Sequence, residues 1–144
     1  MSIQPIVVDT NVFVSALLNP FGKNADVLEL CYRGTYQPVM STALFLEYED
    51  VVNREKNFFK RCLLTPNERQ QALNDFFSVC RWVKIYYAWR PNLRDEGDNF
   101  VMELAIAAGV THIVTSNIRD FRQSELSFPD ISVVTADQFL KEAR

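Results

Sequence analysis

The sequence predicts an α/β fold, a parallel sheet covered by helices, and three observations carry that expectation. Five short apolar runs suited to strands alternate with longer stretches of helical spacing: Ile6 to Asp9, Tyr36 to Met40, Trp82 to Tyr87, His112 to Thr115 and Ile131 to Val134. Several of the intervening stretches carry their own helix-start signals. With 144 residues, 48% of them hydrophobic and 23% charged, the chain also has the size of one ordinary domain (residues 1–144) that buries about 70% of its unfolded surface around one core.

The first run places Asp9 at the carboxyl end of a strand and directly before the apolar helix that starts with Thr10 and Asn11. Taken alone, Asp9 is an N-cap, since its side chain accepts from the free amides of a helix start. Behind the second strand, Ser41 can cap a helix "TALFLEYEDVV", whose Leu44, Val51 and Val52 recur at helical spacing among charges. Glu47 falls in its second turn. The segment "NREKNFFKR" then sets Arg54, Lys56, Lys60 and Arg61 around Phe58 and Phe59. Cations beside aromatics can contact phosphates and stack bases, although two phenylalanines in a helical segment are more often core.

Thr65-Pro66-Asn67-Glu68 combines a capping threonine, a proline at the first helical position and a glutamate that completes a capping box. The third strand leads into "AWRPNLRDEGD", the longest loop-like segment. Asp98 stands at the start of the next helix, whose apolar face is Phe100, Val101, Leu104, Ala105 and Ala108 and whose end is marked by Gly109. After the fifth strand, Thr135-Ala136-Asp137-Gln138 repeats the capping-box logic.

Several classes are excluded. Four glycines and six prolines are scattered singly, so the chain is neither collagen-like nor of low complexity. No apolar run approaches the ~20 residues of a membrane span, and the N-terminus lacks the basic-then-apolar pattern of a signal peptide, so a cytoplasmic location and no membrane partner are the expectation. Cys31, Cys62 and Cys80 are odd in number without a C-x-x-C spacing, which suggests reduced thiols. His112 reads as an ordinary residue at a strand entrance. A net charge of −3 does not advertise nucleic-acid binding through the overall field.

In an open parallel sheet, functional groups gather beyond the carboxyl ends of the strands. Asp9 ends the first strand, Glu47 follows the second, Asp98 opens the helix leading into the fourth, and Asn117 and Asp120 follow the fourth. Each has a bland explanation alone: cap, solvated helix residue or turn former. Together they describe an acidic pocket, and carboxylates gathered at one edge repel one another unless protons or hard divalent cations intervene. Mg²⁺ or Mn²⁺ is the expected occupant. Asp95 is a possible cap or outer partner, while Glu49, Asp50 and Glu96 read as solvent-facing.

The stretches "IVVDTNVFVSALL", "STALFLEYEDVV", "LRDEGDNFVMELAIAAGVTHIVTSNIRDF" and "ISVVTADQFL" together resemble the PIN-domain family, in its toxin-like, VapC-related branch. The match runs in order over nearly the whole chain. The resemblance implies a three-layer α/β/α sandwich with a central, mainly parallel sheet. It also implies a metal-dependent ribonuclease that uses Asp9, Glu47, Asp98 and Asn117 and leaves 5′-phosphate and 3′-hydroxyl ends. Asp9, Glu47 and Asp98 match the family's acidic positions and would hold the metal. Asn117 occupies the fourth acidic position with a neutral amide, so a tightly held second metal is in doubt and Asp120 is the candidate to compensate. RNA as substrate, a cognate antitoxin as partner and a homodimer follow from the same resemblance. Two other readings stand beside it: a PIN fold kept as a catalytically weak binding or regulatory module, and a phosphatase with Asp9 as nucleophile. The phosphatase reading is weakened because its usual second aspartate falls on Asn11.

Overall fold

The first strand, β1 (Pro5–Val8), is buried from Ile6 to Val8, which is why it reads as an unbroken apolar run rather than an alternating one. It is the middle strand of the sheet in a computed structural model of the protein, which describes residues 3–54, 62–85, 96–122 and 128–143. Chain order continues with α1 (Thr10–Leu18), α2 (Lys23–Tyr32), β2 (Gln37–Met40), α3 (Thr42–Asn53), α4 (Pro66–Val79) and β3 (Arg81–Trp82). Then come α5 (Glu96–Ala108), β4 (His112–Val114), a 3-10 turn (Ile118–Phe121), β5 (Ser132–Val134) and α6 (Ala136–Glu142). Among the described residues, no helix is long and apolar enough to cross a membrane.

The five strands are all parallel, in the order β3-β2-β1-β4-β5. Parallel neighbours require crossovers, and right-handed ones place helices on opposite faces when the chain moves outward to β3 and then returns to β4. The architecture is the expected α/β/α sandwich. Helix α2 packs against α1, α4 and α6, and α3 against α1, α4 and α5, while α5 lies along β1, β2 and β4. The anticipated strands are present, the first shifted by one residue to Pro5–Val8 and the others shorter. Asp9 leaves β1 to cap α1, and the run expected over Trp82 to Tyr87 pairs only at Arg81 and Trp82, followed by an N–H of Val83 donated to the Met40 carbonyl at 2.8 Å. Residues 86 and 87 lie outside the described residues.

The caps act as anticipated. Ser41 accepts from the Leu44 N–H at 3.2 Å, and both Thr65 and Thr135 complete capping boxes with Glu68 and Gln138. Gly109 takes a φ of 64°, a left-handed conformation that ends α5 and lets the Val110 N–H reach the Ala105 carbonyl.

An aromatic cluster joins the layers behind the sheet's carboxyl end. The rings of Phe13, Tyr48 and Phe76 lie 5.4 to 5.8 Å apart. Tyr48 is fully buried, and its hydroxyl donates to the Val8 carbonyl. That bond ties α3 to β1 one residue before Asp9 and one after Glu47. Cys31 and Cys80 are buried free thiols, and burial pushes the Cys31 thiol up to about 12 and Cys80 upward as well, so both stay protonated and inert.

Candidate functional site

β1 has β2 on one side and β4 on the other, so the chain's direction across the sheet reverses between β1 and β4. In such sheets the crevice beyond the strand ends at the reversal point is where ligands bind. Asp9 sits there. Its N–H donates to the Val114 carbonyl at 2.9 Å, which fixes it against the end of β4. Oδ1 accepts from the Thr10 N–H at 2.8 Å; Oδ2 accepts from the Thr115 hydroxyl at 2.8 Å and from the Asn11 amide at 3.2 Å. Asp9 is therefore the cap of α1 and, buried beside the cavity, also one of its walls.

Thr115 and Asn11 form a brace around that carboxylate. The Thr115 hydroxyl is fully buried and also accepts from the Asn117 N–H at 3.1 Å, and Asn11 accepts from the Ser116 N–H at 3.0 Å. Replacing the hydroxyl by a methyl in Thr115→Val removes the donor to Asp9 and leaves the Asn117 N–H without this acceptor. We expect a loss of about 1–3 kcal/mol in denaturant unfolding. Groups that orient a metal ligand are worth about 10–100-fold in metal affinity, so calorimetric titration with Mn²⁺ should weaken by that much, and unchanged affinity would show that the brace does not orient Asp9.

Glu47 reaches the same cavity from the second turn of α3, and the space it occupies exists because residue 97 is glycine. A methyl group built on Gly97 overlaps both Glu47 carboxylate oxygens. Gly97 escaped the sequence reading, although a signal was present: glycine inside a helix costs about 1 kcal/mol relative to alanine, and "DEGDN" places one in the first turn of α5. Asp98 follows it. Rather than capping α5, Asp98 is already inside the first helical turn, buried, where the helix dipole favours negative charge.

Asp9, Glu47, Asp98 and Asn117 line one cavity of about 410 Å³, with Val14, Leu18 and Val51 as apolar walls. Asp120 is not among its lining residues. Its N–H donates to the Asn117 carbonyl at 3.1 Å, which winds the 3-10 turn and carries the Asp120 side chain to an exposed position one turn further on. Arg119 and Arg122 are exposed in and after that turn, and Arg54 pairs with Asp50. Lys56, Phe58, Phe59, Lys60, Arg61 and Asp95 lie outside the described residues. His112 is remote from the cavity wall: Nε2 lies 2.7 Å from Glu142, and the ring packs edge-on against Phe139.

Among the described residues, no three His, Cys, Asp or Glu side chains stand close enough together to form a ready cation cage. The donor set nonetheless fits a hard cation that keeps much of its water. Mg²⁺ is usually held by one or two carboxylates and retains several waters, and the three acidic side chains face a space large enough for that shell. A second feature points the same way. The Thr10 hydroxyl is buried in the cavity wall without a hydrogen-bond partner, and a buried polar atom of this kind calls for a water or ligand to satisfy it.

Comparison with known proteins is consistent with this geometry. A family model described as PIN domain matches residues 5–119. Among solved structures, the chain is similar to one described as the crystal structure of VapBC2 from Rickettsia felis bound to a DNA fragment from their promoter. That match has 20% identity and a TM-score of 0.60, and it covers 90% of this chain and 96% of the other. A search among curated proteins finds no match.

Proposed function

The chain belongs to the PIN-domain family, and from that premise we propose that it is a divalent-metal-dependent endoribonuclease, the toxin component of a toxin–antitoxin pair. PIN domains are generally nucleases that use divalent metals. The observation that carries the reading for this chain is the joint placement of Asp9, Glu47, Asp98 and Asn117 around one cavity at the reversal point of the sheet.

In this reading Asp9 and Asp98 hold Mg²⁺ or Mn²⁺, Glu47 completes the site, and Asn117 offers a carbonyl oxygen. Asp120 takes no part. When bound, the cation supplies Lewis-acid stabilisation of phosphate charge and acidifies water. The protein's own groups do the positioning. Thr115 and Asn11 hold the Asp9 carboxylate, Gly97 leaves room for Glu47 to orient the attacking water, and the unpartnered Thr10 hydroxyl donates to a phosphate oxygen. In-line attack by that water on phosphorus would break the P–O3′ bond, leaving the phosphate on the 5′ side, while the departing 3′ oxygen takes a proton from solvent to give the 3′-hydroxyl end. The same acidic cavity suits a basic segment of an antitoxin; a homodimer and a cytoplasmic setting belong to the same proposal.

A mixed panel of single-stranded and structured RNAs, incubated with Mg²⁺, Mn²⁺ or a chelator, tests it. We expect cutting with either cation and none with chelator. A folded protein that cuts nothing on the panel and shows no heat of cation binding is instead a PIN fold acting as a binding or regulatory module. The neutral Asn117 and the open spacing of the carboxylates favour that second reading.

A further inference from the structure

The acidic cavity is the middle of a longer trench. Towards α3 and α5 it shares Glu47, Val51 and Gly97 with a depression of about 560 Å³ that reaches Arg54 and Phe100. Towards α1 it shares Ser15 and Leu18 with a third depression of about 310 Å³ walled by Asn19, Gly22, Lys23 and Asn24. The acidic side chains Asp9, Glu47 and Asp98 therefore lie at the centre, Lys23 stands in the arm beyond α1, and the other arm holds Arg54 paired with Asp50.

Between Asn19 and Gly22 stands Phe21, 94% exposed. A phenylalanine left in water forgoes about 1.5–3 kcal/mol of burial, yet this one is firmly presented. The Phe21 N–H donates to the Asn19 side chain at 3.2 Å, the Gly22 N–H donates to the Asn19 carbonyl at 3.1 Å, and the Asn19 N–H closes α1 on Ser15 at 2.9 Å. A Cβ at Gly22 would come within 2.8 Å of the Asn19 side-chain amide, so glycine leaves that amide in the place from which its oxygen accepts from the Phe21 N–H. Lys23, the residue after Gly22, makes an exposed ion pair with Asp137 at 3.5 Å. Exposed pairs are worth little, so a phosphate can take Asp137's place.

We propose that the arm of the trench beyond α1 is a subsite for unpaired RNA, in which Phe21 stacks on one base and Lys23 meets a neighbouring phosphate. The proposal rests on the ribonuclease reading and adds a specificity element to it. Stacking on an aromatic ring requires a base that is not paired, so the subsite selects single-stranded segments. A protein partner would want a contiguous apolar patch. Here Phe21 stands in the exposed turn between two lining residues of the depression, Asn19 and Gly22, and the apolar exposure around it is confined to Leu18 and Pro20, while Ser15, Asn19, Lys23 and Asn24 supply polar groups, a mixture that suits a nucleotide better.

The test uses the full chain with Asp98→Asn, so that bound RNA stays intact, in Mn²⁺. Eight-nucleotide single-stranded RNAs carry 2-aminopurine at each position in turn. We expect quenching at one position, lost together with about 10- to 100-fold in affinity when Phe21→Ala is added, since a stacked base contributes about 1–3 kcal/mol. Phe21→Trp should retain both. Equal affinity and quenching with Phe21→Ala overturns the subsite while leaving the ribonuclease reading intact, because cutting by the wild-type protein is scored separately. No cutting by the wild type and no binding by Asp98→Asn removes both.

Discussion

Asp9→Asn should abolish cation-dependent RNA cleavage while sparing the fold. Asparagine caps helices as well as aspartate does, so the Thr10 N–H keeps its acceptor and α1 keeps its start. The amide replaces Oδ2, which accepts from both Thr115 and Asn11, by a donor; the Thr115 hydroxyl can turn and accept from it, whereas the Asn11 amide loses this acceptor, at a cost of about 1 kcal/mol. The lost negative charge is the larger matter, because it stands at the reversal point where the cation and phosphate meet. Removal of single electrostatic contributors from active sites costs about 10²–10³-fold in kcat, and we expect at least the lower figure. Thermal melts and cleavage assays on the same preparation separate the two effects. A folded variant that still cuts within a few fold of wild type would remove Asp9 from the site.

Gly97→Ala is expected to uncouple stability from activity in the opposite sense to ordinary helix substitutions. Alanine favours the helix by about 1 kcal/mol over glycine, yet its methyl group takes the space of the Glu47 carboxylate. That carboxylate is the far end of a flexible side chain, so it swings aside without forcing the two helices apart, and the melting temperature changes less than the activity does. Its place in the cavity is lost. We expect cation affinity and cleavage to fall by about 10–100-fold, the range for disturbing the groups that set a ligand's position. In a Glu47→Ala background, the same substitution should be harmless to what activity remains and should stabilise α5. Equal losses in both backgrounds would mean that Gly97 acts through something other than Glu47.

Much of the architecture was legible in the sequence because its signals are local. Capping boxes at Thr65 and Thr135 are written within four residues, the stop at Gly109 within one turn, and the buried strands in short apolar runs. The strand-to-helix junction at Asp9 was equally local, and the order of the acidic stretches carried the family resemblance that the matched model bears out over residues 5–119. Strand ends were read less well: pairing stops where the neighbouring strand stops, which no run of apolar residues records.

The sequence by itself determined which segments become strands and helices, how the helices begin and end, and which acidic residues stand near strand ends. Only the tertiary structure decided which of these share a cavity. It admitted Asn117 and left out Asp120 through one 3-10 turn, set Gly97 against Glu47 from a different helix, and braced Asp9 with Thr115 from 106 residues away. It also aligned Ser15 and Leu18 so that the acidic cavity runs on into the depression walled by Asn19, Gly22 and Lys23. The physical reason is range. Caps and periodicities act over a turn or two of chain, whereas membership of a cavity depends on which strand ends the crossovers bring side by side.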